Sequence, residues 1–174
     1  MKKILIILVS VFLLTGCVRF KDRISLMGNK ITTNYGTYII PSTWEKNEGH
    51  STRYKYFFTN KKDRNDNPPN NISVEKGVNK YSKDDHIKFR EAIMRQLSAQ
   101  VRYYGASVNG SGGTTKNGYI YYTFVMETKS QTTVQHYIIG DYKYVLVHET
   151  IFKGDGKDCH NAAKTIVNSF KWNE

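Results

Sequence analysis

Most of the chain after residue 31 consists of short apolar stretches with the alternation, or the β-branched and aromatic composition, of β-strands. The pattern predicts about six strands, at residues 32–40, 53–59, 72–78, 119–127, 132–139 and 142–152. Residues 109–118 are rich in glycine, but a strand rather than a helix follows them. They therefore predict a flexible hairpin and not a phosphate-binding loop.

Two other segments have apolar residues at helical spacing. The first begins near Ser82 and ends at Gly105, and its apolar stripe consists of Ile87, Ile93 or Met94, Leu97, Val101 and Tyr104. The second covers residues 158–170 and begins with Asp158 as its cap. Its stripe consists of Cys159, Ala162 or Ala163, Ile166, Val167 and Phe170. We therefore expect two main helices, each with one face packed against a sheet.

The dipeptide Gly140-Asp141 predicts a two-residue hairpin turn that pairs Ile139 with Tyr142. In that register both faces of the hairpin are substantially apolar, whereas a sheet with one solvated face alternates more cleanly. Either both faces are covered, or one face is an exposed aromatic surface. We predict an α+β fold in which an antiparallel sheet of about six strands lies between two main helices, as an αβα sandwich. A single domain at residues 32–174 would contain it.

The content of tyrosine, 13 residues, is the unusual feature of the composition. The predicted hairpin places Tyr137, Tyr142 and Tyr144 on one face, and a second turn at residues 129–130 adds Tyr122. The preference of tyrosine for strands explains much of this content. Alternatively, these four residues form an aromatic face that binds a protein, peptide or glycan, because tyrosine joins an apolar ring to a polar tip.

The N-terminus has the organisation of an export signal. Lys2 and Lys3 precede an apolar run at residues 4–14, which is too short to cross a bilayer, since a crossing helix needs roughly 20 residues. The run ends in Leu14-Thr15-Gly16-Cys17. This motif resembles the lipobox of bacterial lipoproteins, in which the leader is cleaved immediately before the cysteine.

The resemblance to lipoproteins implies that cleavage falls between Gly16 and Cys17 and that Cys17 carries the lipid. Residues 1–16 would be the signal peptide, and residues 17–31 would be the lipidated cysteine and a tether. More than one acyl chain on the cysteine would provide stable anchoring. The chain is then expected in the cell envelope, bound to a membrane and facing the periplasm or the cell exterior.

The charge of the chain is strongly basic. The formal net charge is +11, and removal of Lys2 and Lys3 with the leader lowers it to +9. Because export separates the protein from nucleic acid, we do not expect a nucleic-acid partner. The candidates for electrostatic partners are anionic lipid headgroups and anionic envelope polymers, although a basic surface also serves solubility.

Residues that carry chemistry are sparse. The sequence has no His-x-x-x-His or Cys-x-x-Cys spacing, so we predict no metal site and no cofactor. The hairpin register places His136 and His148 on opposite faces. With Cys17 lipidated, Cys159 has no disulfide partner. We interpret Cys159 as a small buried apolar residue, with a reactive nucleophile as the alternative.

A family resemblance rests on two short motifs. Residues 38–44, Tyr-Ile-Ile-Pro-Ser-Thr-Trp, resemble the start of PsbP-like and DcrB-like domains, and residues 166–172, with Ser-Phe near their end, resemble the final helix of these domains. The resemblance covers residues 32–173 and is interrupted by a long loop around residues 68–69. It implies an antiparallel sheet between helices and a non-enzymatic role as an extrinsic subunit, chaperone or assembly factor. It implies no catalytic residues.

These observations together predict a membrane-anchored, non-enzymatic binding or assembly module whose partner is an envelope protein or polymer. Two alternatives remain open at this level. One is an envelope hydrolase or transpeptidase that uses Cys159. The other is a basic surface protein that binds polyanions.

Overall fold

Antiparallel pairing organises ten strands into two sheets in the computed structural model, which describes residues 28–102 and 104–173. The strands are β1 Gly28–Thr32, β2 Gly36–Pro41, β3 Trp44–Lys46, β4 Lys55–Asn60, β5 Asn71–Val78, β6 Val108–Thr114, β7 Ile120–Glu127, β8 Thr132–Gly140, β9 Lys143–Ile151 and β10 Lys171–Trp172. The main sheet has seven strands in the order β3-β4-β5-β9-β8-β7-β6, and the small sheet has the order β1-β2-β10.

Two helices cover opposite faces of the main sheet. A 3-10 turn at Lys83–Asp85 leads into α1, His86–Arg102, which packs on β6 and β7. The helix α2, Lys157–Ser169, packs on β9 and β2 and therefore lies on the other face, beside the small sheet. The predicted α+β fold with two main helices around an antiparallel sheet is confirmed.

Both faces of the main sheet are apolar, and each helix covers one of them. The protein therefore has a separate apolar core under each helix. The core under α2 includes Val145, Val147 and Ile166, all fully buried. The core under α1 includes Phe89, Phe124 and Tyr137. Burial of an apolar side chain of this size contributes about 1.5–3 kcal/mol, so both layers stabilise the sheet between them.

Four of the ten strands are absent from the predicted set: β1 and β10 of the small sheet, and β3 and β6 of the main sheet. In the main sheet, β6 was missed because it has little side chain and β3 because it is short. The glycine-rich residues 108–114 form β6 and pair with β7 along their whole length, so only the loop that follows them belongs to the turn of the hairpin. The three-residue strand β3 gave no periodic signal. The predicted strand at residues 32–40 is divided by a turn, which Thr33 stabilises by accepting hydrogen bonds from the amides of Tyr35 and Gly36.

The turn between β8 and β9 contains Asp141 and Tyr142, so that Gly140 pairs with Lys143. Ile139 therefore pairs with Tyr144 and not with Tyr142, so the predicted register is wrong by two residues. Because both registers pair odd-numbered with even-numbered residues, the two faces of the hairpin are unchanged. Tyr142, the second residue of this turn, adopts the left-handed conformation with φ of 55°, which is uncommon for a residue other than glycine.

The buried face of α1 differs from the predicted stripe. Phe89 is 2% exposed, and with residues 93, 97 and 101 it forms a row at four-residue spacing. Ile87 lies two positions from Phe89, about 200° around the helix, and is consequently 45% exposed. Tyr104 follows the end of the helix and is also exposed.

The predicted stripe of α2 is confirmed, since Cys159, Ala162, Ala163, Ile166 and Val167 are all buried. Its predicted cap is wrong. Gly156 occupies the cap position in the left-handed conformation, and Asp158 lies within the first turn. There its negative charge is favourable beside the unpaired amides of the helix start.

The small sheet begins earlier than the predicted domain. Gly28–Thr32 pairs with β2, so residues 28–31 of the expected tether belong to the sheet. The predicted signal peptide and the lipid site at Gly16 and Cys17 lie outside the described residues. Among the helices of the described part, none is both long and apolar enough to cross a membrane.

Candidate functional site

The four tyrosines of the predicted aromatic face do not form one exposed surface. Tyr122 and Tyr137 are each 6% exposed, and Tyr144 is half-buried. Tyr142 lies in the β8–β9 turn and is 57% exposed. The helix α1 covers the first three. Its Phe89 packs against two of them, with its ring centre 5.6 Å from that of Tyr137 and 5.5 Å from that of Tyr144.

Tyr122 differs from the other covered tyrosines because it lies at the rim of the α1 layer. Its hydroxyl is 2.6 Å from Nδ1 of His86, and the guanidinium of Arg90 lies 5.8 Å from the centre of its ring. Burial raises the pKa of Tyr122, and the nearby Arg90 opposes that shift. The Tyr122 ring is thus held by His86 at its hydroxyl and by Arg90 over its face.

Beside Tyr122, a groove of about 420 Å³ lies between α1 and β6. We call it the α1–β6 groove. Its lining residues come from the exposed flank of the helix, from the edge strand and from β7, and they are Arg90, Glu91, Met94, Arg95, Gly110, Ser111, Gly112 and Tyr122.

The groove exists because its strand wall lacks side chains. A Cβ atom at Gly110 would lie 2.6 Å from the terminal carbon of Met94, and one at Gly112 would lie 2.8 Å from the ring of Tyr122. Real Cβ atoms do not approach other atoms so closely. Glycine in a strand often marks the close approach of another group. Here it allows the helix and the tyrosine ring to lie directly against the strand backbone.

The charges of the groove are unbalanced. Arg90 and Arg95 are exposed on the helix flank with Glu91 beside them, so the wall is net positive. Met94 and the Tyr122 ring supply apolar surface between these charges. A concave surface of this kind is suited to a ligand that combines an extended apolar part with negative charge.

A second unusual feature is a buried carboxylate on the opposite face of the sheet. The Glu149 side chain is 1% exposed, and each of its oxygens contacts one histidine. Nε2 of His136 lies 2.7 Å from Oε1, and Nδ1 of His160 lies 2.8 Å from Oε2. The hydroxyl of Thr123 completes the chain at 2.8 Å from Nδ1 of His136.

This cluster connects three strands and α2 through hydrogen bonds. Because a carboxylate only accepts hydrogen bonds, both contacting ring nitrogens carry hydrogen. The carboxylate and the imidazoles are in direct contact with each other and do not surround a common centre. Within residues 28–102 and 104–173, no group of three or more potential ligands is arranged to hold a metal ion. His148 lies on the other face of the hairpin from His136, as the register predicted.

Cys159 is buried, as expected, with 2% of its surface exposed. It lies at a cavity of about 290 Å³ near the start of α2, where Lys62 pairs with Asp158. Burial is the main cause that raises the pKa of Cys159 to about 12, and nearby carboxylates add to the shift. The imidazole of the adjacent His160 contacts Glu149 instead of the thiol. This environment keeps the thiol protonated and weakly nucleophilic.

The strand pattern missed two features, the buried carboxylate of Glu149 and the glycine wall of β6, although the sequence contains a signal for each. Glu149 alternates with Val145, Val147 and Ile151, so a carboxylate is predicted on an apolar face, where it needs partners. Gly110, Gly112 and Gly113 are spaced as in a strand, although glycine alone gives no apolar period. The position of α1 over that strand could not be obtained from the sequence, since it depends on the helix contacts.

Comparison with known proteins shows the fold. No protein-family model and no curated protein sequence matches the chain. The solution structure of cyanobacterial PsbP (CyanoP) from Synechocystis sp. PCC 6803 is similar at 12% identity and a TM-score of 0.52, over 84% of this chain and 94% of that protein. The Ran-binding protein Mog1p of Saccharomyces cerevisiae is similar at 14% identity and a TM-score of 0.51, over 83% and 95%. The expected PsbP-like fold is therefore confirmed.

Proposed function

We propose that the chain is an exported bacterial lipoprotein whose domain, held to a membrane through Cys17, acts as a non-enzymatic binding or assembly module in the cell envelope. The leader and the motif that ends in Gly16-Cys17 support the anchor. The α1–β6 groove carries the binding role, because it presents a concave surface with fixed charged, apolar and aromatic groups.

A protein is the partner best supported by the groove. Its strand wall exposes backbone at Gly110 and Gly112, and its helix wall exposes arginine, which is enriched at protein interfaces. The yeast protein of the same fold is a Ran-binding protein, so this fold is compatible with a protein-binding surface. The fold alone does not fix the partner, which the predicted export places in the envelope.

The anchor is tested by metabolic labelling with an alkyne analogue of palmitate. The wild-type chain and the Cys159→Ala variant should both incorporate label, whereas Cys17→Ala should not. Equal labelling of the Cys17→Ala variant, or an unlabelled wild-type chain, would refute the lipid anchor.

The binding role is tested by purification of the tagged chain from crosslinked envelopes. We expect a specific protein to copurify with wild type and to be lost with Arg90→Glu/Arg95→Glu. The matched control is Lys157→Glu/Lys164→Glu, which reverses two exposed charges on α2 at the opposite face. Recovery of only bulk membrane proteins, or equal loss in both variants, would contradict binding at the groove.

A further inference from the structure

The two edges of the main sheet are protected to different degrees. The main sheet ends in β3 on one side and in β6 on the other. The strand β3 is three residues long and contains Glu45 and Lys46, which is typical of an edge protected against pairing. The strand β6 is seven residues long and contains no charged residue and no proline. In the described part of the chain it pairs only with β7, so its outer edge is open.

The hydrogen bonds of the β6–β7 hairpin show which backbone groups face that edge. The amide of Thr115 donates to the carbonyl of Tyr119 at 2.8 Å, so position 115 faces β7. The pairing then continues without a bulge from Thr114–Ile120 to Val108–Met126. Because an antiparallel strand alternates between inward and outward groups, the amides and carbonyls of Val108, Gly110, Gly112 and Thr114 face outward.

The outward groups lie along the α1–β6 groove. Gly110 and Gly112 belong to its lining, and no side chain on them shields the backbone. Arg90 and Arg95 line the same groove from the helix. A strand that paired with β6 would therefore pass beside two guanidinium groups, which bind carboxylates through two parallel hydrogen bonds.

Charge also argues against a second copy of this chain as the occupant. Without Lys2 and Lys3 of the leader the formal net charge falls from +11 to +9, and pairing of two β6 edges would bring two sets of Arg90 and Arg95 together. Like charges placed opposite each other disfavour such pairing. An acidic segment of another protein has the complementary charge.

We infer that β6 accepts an extended, acidic segment of a partner protein as an additional strand of the main sheet, with carboxylates of that segment bound by Arg90 and Arg95. Backbone hydrogen bonds to Gly110, Gly112 and Thr114 would provide affinity, as in other strand-addition complexes. This inference rests on the proposed binding function and specifies its ligand.

The probe is a library of random twelve-residue peptides displayed on phage, selected against the mature chain held in lipid nanodiscs through lipidated Cys17. We expect enrichment of peptides that alternate β-branched residues with Asp or Glu. The tightest peptide is then labelled for anisotropy titration, and amide hydrogen exchange is measured with and without it. Exchange should slow at Gly110, Gly112 and Thr114 on binding.

Two pairs of variants locate the site. Thr114→Pro removes one outward amide and keeps the ladder to β7, whereas Thr114→Val keeps that amide. Loss of one hydrogen bond should weaken binding about tenfold in the proline variant only. Arg90→Glu/Arg95→Glu should abolish selectivity for acidic peptides, and Lys157→Glu/Lys164→Glu should leave it intact. Thermal unfolding confirms that each variant is folded.

The failures of the two proposals are distinguishable. If peptides bind but protection falls outside β6, or if a partner copurifies from envelopes while no acidic peptide is enriched, strand addition is wrong and the binding function stands. Slow exchange of β6 without peptide, together with a mass that rises with concentration, would identify a second copy as the occupant and overturn the inference. Absence of both a copurified partner and an enriched peptide would overturn both proposals.

Discussion

A Cβ atom at position 112 would lie 2.8 Å from the ring of Tyr122, so the tyrosine ring lies in the space that a side chain at this position of the α1–β6 groove would need. The ring has little freedom to move away. Its hydroxyl contacts His86, and Arg90 lies over its face. The pair links a local sequence feature, a glycine in a strand, to the shape of the proposed binding surface.

The Gly112→Ala variant should lose stability and binding together. Alanine normally stabilises an extended position by restricting the unfolded chain, but the contact with the Tyr122 ring should outweigh this and cost about 1–3 kcal/mol. Urea unfolding measures the change. Gly49→Ala is the control, because its nearest neighbour would be 3.5 Å away and it should not be destabilised. A Gly112→Ala protein as stable as wild type would show that the ring is not fixed.

The buried carboxylate should contribute more to stability than any exposed one. Glu149→Ala leaves the ring N–H groups of His136 and His160 without their acceptor inside the protein. An unsatisfied buried donor typically costs about 1–3 kcal/mol, and most of this loss should come from His136, because His160 is half-exposed and meets water. Glu149→Gln should cost less because one oxygen still accepts. Chemical unfolding tests this against Glu127→Ala, an exposed carboxylate on β7. A loss for Glu149→Ala as small as that of Glu127→Ala would contradict the role of the cluster.

His148 should make the protein less stable in mild acid. Burial is the main cause that lowers the pKa of His148 from 6.5 to about 4, and Lys55 acts in the same direction. The unfolded chain therefore binds a proton below about pH 6.5 that the folded chain does not bind until about pH 4. Stability falls across this window, by up to about 3 kcal/mol. His148→Gln should flatten that part of the profile of unfolding free energy against pH, and an unchanged slope would contradict it.

The thiol of Cys159 should react slowly in the folded protein. Its burial and raised pKa leave almost no accessible thiolate at pH 8. Alkylation by iodoacetamide should therefore accelerate strongly when urea unfolds the chain. The Cys159→Ala variant provides the background for any reaction at Cys17. Rapid labelling of the native protein at Cys159 would instead favour the hydrolase or transpeptidase interpretation.

The sequence predicted those parts of the fold in which apolar side chains recur with a regular helix or strand period. The apolar stripe of α2 and the faces of the β8–β9 hairpin follow from spacing alone. The error of two residues in the predicted hairpin register does not alter those faces. The strand β6 was missed because glycine has no side chain to show a period. The rotation of α1, which buries Phe89 and exposes Ile87, depends on the turn before the helix and on the shape of the sheet.

The residues of the candidate site were harder to predict, because a sequence pattern does not show which elements pack on each other. Three of the four tyrosines expected on a binding face, Tyr122, Tyr137 and Tyr144, lie under α1, since a strand pattern gives the face of a residue but not what covers that face. Tyr122 reaches a groove only because the glycines of β6 leave room beside it. The pairing of Glu149 with His160 connects a strand to a helix, and no local spacing encodes it.

The most direct test of the proposed function is photocrosslinking in cells from a single position in the groove. Glu91 is exposed on α1, lines the groove and is replaced by p-benzoylphenylalanine, with the same replacement at exposed Lys164 on α2 as the matched control. We predict one discrete crosslinked protein from position 91, absent from position 164 and lost when Arg90→Glu/Arg95→Glu is added. Equal crosslinking from both positions, or none from position 91 while position 164 captures a partner, would show that the α1–β6 groove is not the binding site.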